Sequence, residues 1–245
     1  MSTTVRVGII GNGHLGKFLS AELAKTEGFE VRKVWNRTVE PGSAVLPLEQ
    51  LNAETLKQIG SPTCLADNEL FKEVSDIVEN KKRKVLIPAG AFWGGNDIQK
   101  MANAGTLEGL TVTMIKHPSS FKLESPLKEK NEEAKKRPDQ ATVIFEGSVR
   151  ALCPLAPNNV NTMAGAAVAA HNLGFDGVRA KLISDPNLPD AHIVKVLVQG
   201  PGGFEVETSR YNPAKPGAVT GTMTYYSFLE SIKEGRYKPS GLHIC

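Results

Sequence analysis

Val5-Arg-Val-Gly-Ile-Ile-Gly-Asn-Gly-His-Leu-Gly-Lys17 is the stretch that decides the fold of this 245-residue chain. Val5, Val7, Ile9 and Ile10 make an apolar strand, Gly11-x-Gly13-x-x-Gly16 follows, and Leu15, Phe18, Leu19 and Leu23 then recur at helical spacing. Strand, tight turn and helix in that order frame a dinucleotide site. Gly11 permits the turn, Gly13 lets the backbone approach a pyrophosphate, Gly16 lets the helix pack on the strand, and the free N–H groups of the helix face the anion. The glycine motif is weak alone; set between a buried strand and an amphipathic helix it points to Gly11, Asn12, Gly13, His14, Leu15 and Gly16 as coenzyme contacts. The alternative is a glycine turn that only packs helix on strand.

A second strand, Phe29-Glu-Val-Arg-Lys-Val-Trp35, ends in Asn36-Arg37. Asn36 stands where such folds usually place the acid that grips the ribose 2′-hydroxyl of NAD. The acid is missing here. Asn36 can still hydrogen-bond a ribose hydroxyl and Arg37 can pair with a 2′-phosphate, so the expected coenzyme is NAD or NADP, with NADP tolerated and favoured by the arginine.

The rest of the composition narrows the class. Net charge is +3, and no basic stripe interleaved with aromatics is present, which argues against nucleic acid as a partner. No apolar run approaches the roughly 20 residues that span a bilayer, and Met1-Ser-Thr-Thr4 has no apolar signal region, so the expectation is a cytoplasmic protein without a membrane partner. Cys64, Cys153 and Cys245 are odd in number and far apart, without the spacing of a zinc site or a disulfide framework. They read as free thiols in a reducing compartment, and no metal site is expected.

Onward from Arg37 the chain reads as a turn (Glu40 to Ser43), a short apolar run (Ala44 to Leu46) and a polar helical segment from Leu48 to Ile59. Ala66 to Val78 is a helix with Asp67 or Asn68 as N-cap. Lys84 to Pro88 is a buried strand, and Ala89 to Gly95 is a loop at its carboxyl end, where α/β sheets bind ligands. Asp97 to Ala104 is a helix and Gly109 to Lys116 an alternating strand. The charged run Lys128 to Arg137 reads as a solvated excursion. Ala141 to Val149 is a strand, and the loop Pro154 to Asn161 feeds a small-residue helix from Thr162 to His171. Three strands, Gly177 to Ser184, His192 to Gln199 and Phe204 to Ser209, read as an antiparallel meander. Pro213, Pro216 and Gly217 mark a linker before a last helix, Val219 to Ile232, expected to return to the first half. The fold class is therefore α/β: a Rossmann-type nucleotide-binding domain over residues 1–89 and 218–245, with an α+β substrate and dimerisation domain over 90–217.

Five histidines are candidates for proton transfer near neutral pH. His14 lies in the glycine loop, His171 ends a helix and reads as its C-terminal cap, and His243 is in the tail. His117 precedes a proline, where a turn residue and a substrate contact fit equally. His192 follows the turn-rich Asp185 to Ala191 and opens a strand, within reach of a cleft between domains.

Together the motifs resemble the L-aspartate dehydrogenase family, most closely its animal members, along nearly the whole chain. The resemblance rests on Val7-Gly-Ile-Ile-Gly-Asn-Gly-His-Leu-Gly16, Val34-Trp-Asn-Arg37, Gly60-Ser-Pro-Thr63, Gly90-Ala-Phe-Trp-Gly94, Phe145-Glu-Gly-Ser-Val-Arg150, Pro157-Asn-Asn-Val-Asn-Thr-Met163, Leu173-Gly-Phe-Asp-Gly177, Asp190-Ala-His192, Asn212-Pro213, Pro216 to Gly221 and Leu242-His-Ile-Cys245. It implies oxidation of L-aspartate with NAD or NADP to iminosuccinate, which hydrolyses to oxaloacetate and ammonia. It further implies Ala91 and Asn161 as coenzyme contacts, His192 as the active-site histidine, and a homodimer. Lys116, Arg150 and Lys195 are the cations available to grip the substrate carboxylates.

The sequence departs from that family at one place. Its members carry, ahead of the Gly-Ser-Pro block, a buried strand with an acidic residue, then a helix and a further strand. Here Leu51 to Ile59 is polar and leads straight into Gly60, as if about thirty residues were absent. The loss should leave the Val5–Ile10 strand short of a partner and expose an apolar edge. A shortened splice form, a faulty gene model and a variant that has lost catalysis all fit, and the last makes a catalytically inactive dinucleotide-binding or interaction module the alternative function.

Overall fold

The computed structural model describes residues 4–10, 14–36, 39, 42–47, 62–80, 84–87, 90, 92–215, 217–218 and 223–244. The polar segment at 48–59, Gly11 to Gly13, Arg37, Ala91 and the first residues of the last helix lie outside them. In chain order the elements are β1 (Val5–Ile10), α1 (His14–Ala24), β2 (Phe29–Asn36), β3 (Leu46–Pro47), α2 (Asn68–Asn80), β4 (Lys84–Ile87), α3 (Gly95–Asn103), β5 (Gly109–Lys116), α4 (Leu127–Lys135), β6 (Thr142–Ser148), α5 (Val149–Leu152), α6 (Asn161–Ala169), α7 (Gly174–Gly177), β7 (Arg179–Ser184), β8 (Ala191–Gly200), β9 (Phe204–Pro213), α8 (Met223–Gly235) and β10 (Gly241–Ile244). Parallel strands joined through helices precede a mixed sheet, as an α/β chain with an α+β part requires.

The glycine-motif end forms a β-α-β unit. β1 and β2 pair in parallel with α1 between them, and β3 adds at the far side of β2. Val7, Ile9, Leu19 and Leu23 are buried in one cluster with Phe228, Leu229 and Ile232 of α8. Phe18 meets Tyr225 and Tyr226 edge-on with ring centroids 5.6 and 5.5 Å away, so the last helix does return to the first. β1 is the edge of its sheet among the described residues. Val7 and Ile9 are nonetheless buried against the two helices, so at these residues the edge expected from the missing segment is one of backbone rather than of apolar side chains.

Among the described residues β4 does not join that sheet; it pairs in parallel with β10. The residues around His243 are thus a strand, not a tail, and the alternation that reveals a strand is too short in four residues to be read alone. Helix α2 is N-capped by Asp67, whose Oδ1 accepts from Leu70 N–H at 2.9 Å. Gly94, at φ 84°, turns the chain into α3.

The larger sheet corrects the expected meander. Its order is β6-β7-β5-β8-β9: β5 lies between β7 and β8, parallel to the first and antiparallel to the second. Only β8 and β9 form the expected hairpin. One face is covered by helices, with Leu110, Val112, Met114, Ala180, Leu182, Val194, Val196 and Val198 buried in a core that also holds most of α6 and reaches Val85, Ile87 and Ile244. The small residues of α6 are what let it sit this close. The charged run is not a solvated excursion either. It is α4, which buries Leu127, Asn131 and Ala134, four and three residues apart, and keeps its charges on the outer face. Among the described residues no helix is long and apolar enough to cross a membrane, and no group of His, Cys, Asp and Glu is placed to hold a metal.

Candidate active site

β5 runs Leu110, Val112, Met114, Lys116 along its covered face, and β8 runs His192, Val194, Val196, Val198 along the same face. Strand alternation carries the last residue of β5 and an early residue of β8 onto the apolar side of the sheet although both are polar. The register sets them opposite each other: Lys116 faces His192, with Ser184 on the other flank of Lys116 and Asn212 on the other flank of His192. A polar row therefore crosses four adjacent strands at one end of the sheet. All four residues are buried, Lys116 to 3% exposed and His192 to 5%.

Around the row, hydrogen bonds hold some members and leave one atom over. Ser184 Oγ donates to Asn131 Oδ1 at 2.8 Å, and Asn131 Nδ2 donates to the Pro118 carbonyl at 2.9 Å, so α4 clamps β7 to the turn that leaves β5. Asn212 Nδ2 donates to the His192 carbonyl at 3.3 Å. His192 Nε2 is buried with no hydrogen-bond partner among the described residues. A buried polar atom left so is costly unless something else fills the place. Burial, helped by the nearby Lys116 charge and opposed by a hydrogen bond with the Ala218 backbone, pulls His192 down to about 4, so the ring is neutral at neutral pH. Burial likewise lowers the Lys116 ammonium to about 7.

One row inward on β9, Arg210 Nη1 donates to the Gly90 carbonyl at 3.3 Å. Gly90, at φ 62°, lies beside Thr162 of α6: a Cβ built on it would come 3.9 Å from Thr162 Oγ1. Asn161 opens α6, and its Oδ1 accepts from Thr63 Oγ1 at 2.7 Å. The structure thus joins His192, Asn212, Arg210, the Gly90 turn and the N-terminus of α6 through successive contacts. His14, Leu15 and Gly16 open α1 and Asn36 closes β2, at the carboxyl ends of β1 and β2.

Other candidates are occupied elsewhere. Arg150 Nε donates to Asp176 at 2.7 Å, and its Nη1 donates to the Ala66 carbonyl, which fixes the turn at Pro62–Ala66 against α5. Lys195 pairs with Glu207 at 3.6 Å on the uncovered face of the sheet. His117 serves the turn: its Nδ1 accepts from Ser119 N–H at 3.3 Å. His171 does not cap its helix; its Nε2 meets Asn103 Oδ1 of α3 at 2.8 Å. Cys64 and Cys153 form no disulfide. Asn131 and Ser184 are buried neighbours of the row that the sequence did not single out; Asn131 lies inside a charged run, which carries no local signal of burial.

A family profile described as aspartate dehydrogenase, C-terminal, matches residues 97–234. The aspartate dehydrogenase domain-containing protein of Xenopus tropicalis is 41% identical, covering 98% of each chain. That of Danio rerio is 40% identical with the same coverage. The L-aspartate dehydrogenase of Methanococcoides burtonii is 28% identical over 75% of this chain and 66% of its own. The frog alignment runs over 281 positions, more than the 245 residues here, so the frog protein holds residues inside the aligned span that have no counterpart in this chain.

Proposed function

The chain belongs to the aspartate dehydrogenase family, and on that premise we propose that it oxidises L-aspartate with NAD or NADP to iminosuccinate, which water converts to oxaloacetate and ammonia. The observation that carries the reading is the unpartnered Nε2 of a neutral, buried His192 facing Lys116 at the end of the sheet. Such an acceptor suits the amino group of a substrate, which must be unprotonated when its α-hydrogen leaves.

The chain also fits a dinucleotide. β1 leads into the N-terminus of the eleven-residue α1, in which Gly16 is buried. Gly11, Asn12, Gly13, His14 and Leu15 would hold the pyrophosphate, and Asn36 and Arg37 the ribose and a 2′-phosphate. Ala91 and Asn161 would hold the nicotinamide end, with Thr63 fixing the Asn161 carbonyl oxygen. A bound nicotinamide supplies the hydride acceptor. His192 orients the amine, and the buried row excludes water.

We extend the proposal to a homodimer through the uncovered face of the sheet. Val143, Ile183, Ile115, Ile193 and Tyr211 form one apolar row across all five strands, and Val143 and Tyr211 are 49% and 57% exposed. The Lys181–Glu146 and Lys195–Glu207 pairs give that face both charge signs, which a two-fold axis can match to itself. Sedimentation of Val143→Glu should give a monomer where the native chain gives a dimer. Cys64 and Cys153, without a disulfide, suit a reducing compartment, so the cytosol is the proposed location.

Calorimetric titration with NAD and with NADP, followed by an aspartate-dependent reduction assay, tests the function. Saturable binding with reduction supports it; no reduction despite binding sinks it. A second reading, a non-catalytic dinucleotide-binding module, is favoured by the separation of β1 and β4 into different sheets; it requires binding without reduction.

A further inference from the structure

We propose that Lys116 is the base that takes the proton from the α-ammonium group of the amino-acid substrate, an inference that rests on the dehydrogenase reading above. The sequence alone points to His192 for this task, because histidine ordinarily titrates nearest neutral pH. The sheet reverses the assignment. Lys116 and His192 sit opposite each other in one antiparallel pair, both on the covered face. His192 is held neutral and is a weak base at physiological pH, whereas the Lys116 amine exchanges its proton near 7. A general base works best when its pKa lies near the working pH.

The surroundings of Lys116 favour the neutral amine. Ser184 flanks it on β7 and His192 on β8. α4 brings the uncharged Asn131 to Ser184. β9 brings Asn212 beside His192 and, one row inward, Arg210. The loop after β7 brings Asp185, whose backbone N–H donates to the Lys116 carbonyl at 2.8 Å. Burial disfavours the Lys116 ammonium, and the Lys116 charge in turn lowers His192, so the two titrations of Lys116 and His192 belong to the pair.

In the step itself, an N–H bond of the substrate ammonium breaks, its electron pair stays on the substrate nitrogen, and the proton bonds to Lys116 Nζ. The nitrogen lone pair then forms the C=N bond as the α-hydrogen leaves with its electrons for the nicotinamide coenzyme, the oxidant. His192 Nε2 accepts a hydrogen bond from the amine throughout.

The test is the pH profile of aspartate oxidation by the full chain, by K116M and by K116R, each first shown by calorimetry to bind coenzyme. The native chain should lose kcat/KM below an apparent pKa near 7. K116M should lose about 100-fold or more in kcat, with KM for aspartate changed far less and the acid limb near 7 gone. K116R restores the charge without the base and should not recover kcat. If K116M keeps kcat and raises KM, or if K116R recovers the native profile, Lys116 grips a carboxylate and the proposal is overturned. A native chain that binds coenzyme but oxidises no aspartate ends the dehydrogenase reading and this inference with it, whereas an active native chain with an unchanged K116M ends this inference alone.

Discussion

Lys84 closes the end of α8 on Gly235: its Nζ donates to the Gly235 carbonyl at 2.9 Å, and to those of Arg236 and Lys238 at 3.2 and 2.8 Å. A lysine that opens β4 thus satisfies carbonyls a helix C-terminus leaves unpaired, and its charge opposes the negative end of the helix. Lys84→Met should lower stability by about 1–2 kcal/mol. The urea midpoint would check this, and no shift would mean water serves those carbonyls equally well.

Asn131 serves two partners at once from inside α4. Asn131→Ala should cost about 1–3 kcal/mol, since Ser184 Oγ and the Pro118 carbonyl lose their partner in a buried place. Adding Ser184→Ala should cost less than a second independent loss, because its hydroxyl is already orphaned. Additive losses in chemical denaturation would contradict the clamp.

The depressed His192 makes stability depend on pH in a known direction. Unfolded, the ring takes up a proton near its ordinary 6.5; folded, only near 4. Between these values the unfolded chain binds more protons, so stability is full above about 6.5 and falls as pH drops toward 4, by up to about 1.4 kcal/mol per unit for one group. His192→Gln should flatten that part of the profile. An equal slope in the variant would place the titrating group elsewhere. The Lys116 shift has the same sign in a separate window: stability contributed there is full above about 10.5 and is lost as pH falls to about 7.

Thr63→Val keeps shape but removes the hydroxyl that donates to Asn161 Oδ1. If Asn161 meets the coenzyme, affinity should fall between about twofold and tenfold, the worth of one ordinary hydrogen bond. Calorimetry with NADP gives the ratio. Unchanged affinity would remove Asn161 from the site.

The β1-α1-β2 unit, the Asp67 cap and the place of His192 were legible because each is a local pattern: apolar alternation, a glycine spacing, an N-cap before a helical stripe. The order of the large sheet was not. β5, β7 and β8 all alternate alike, and nothing in a single sequence says that β5 inserts between the other two. α4 was hidden because Leu127, Asn131 and Ala134 include one polar and one small residue among many charges. Lys116 carried a usable signal, standing two residues after Met114 in the phase of Leu110, Val112 and Met114, yet its charge suggested exposure. Its pairing with His192 depends on register across the sheet, which only the folded chain defines.

The pairing of β4 with β10 sets a timetable for the molecule. Residues 84–87 leave the ribosome more than 150 residues before 241–244. Among the described residues, β4 has no other strand to bond, and it sits in the same core as the sheet strands that follow it. The nascent chain therefore carries an open strand edge at β4 until β10 is made, the kind of surface that chaperones cover and that aggregates when they do not. Closing it requires a contact between distant parts of the sequence, which makes this pairing a slow event that waits until β10 has been delivered.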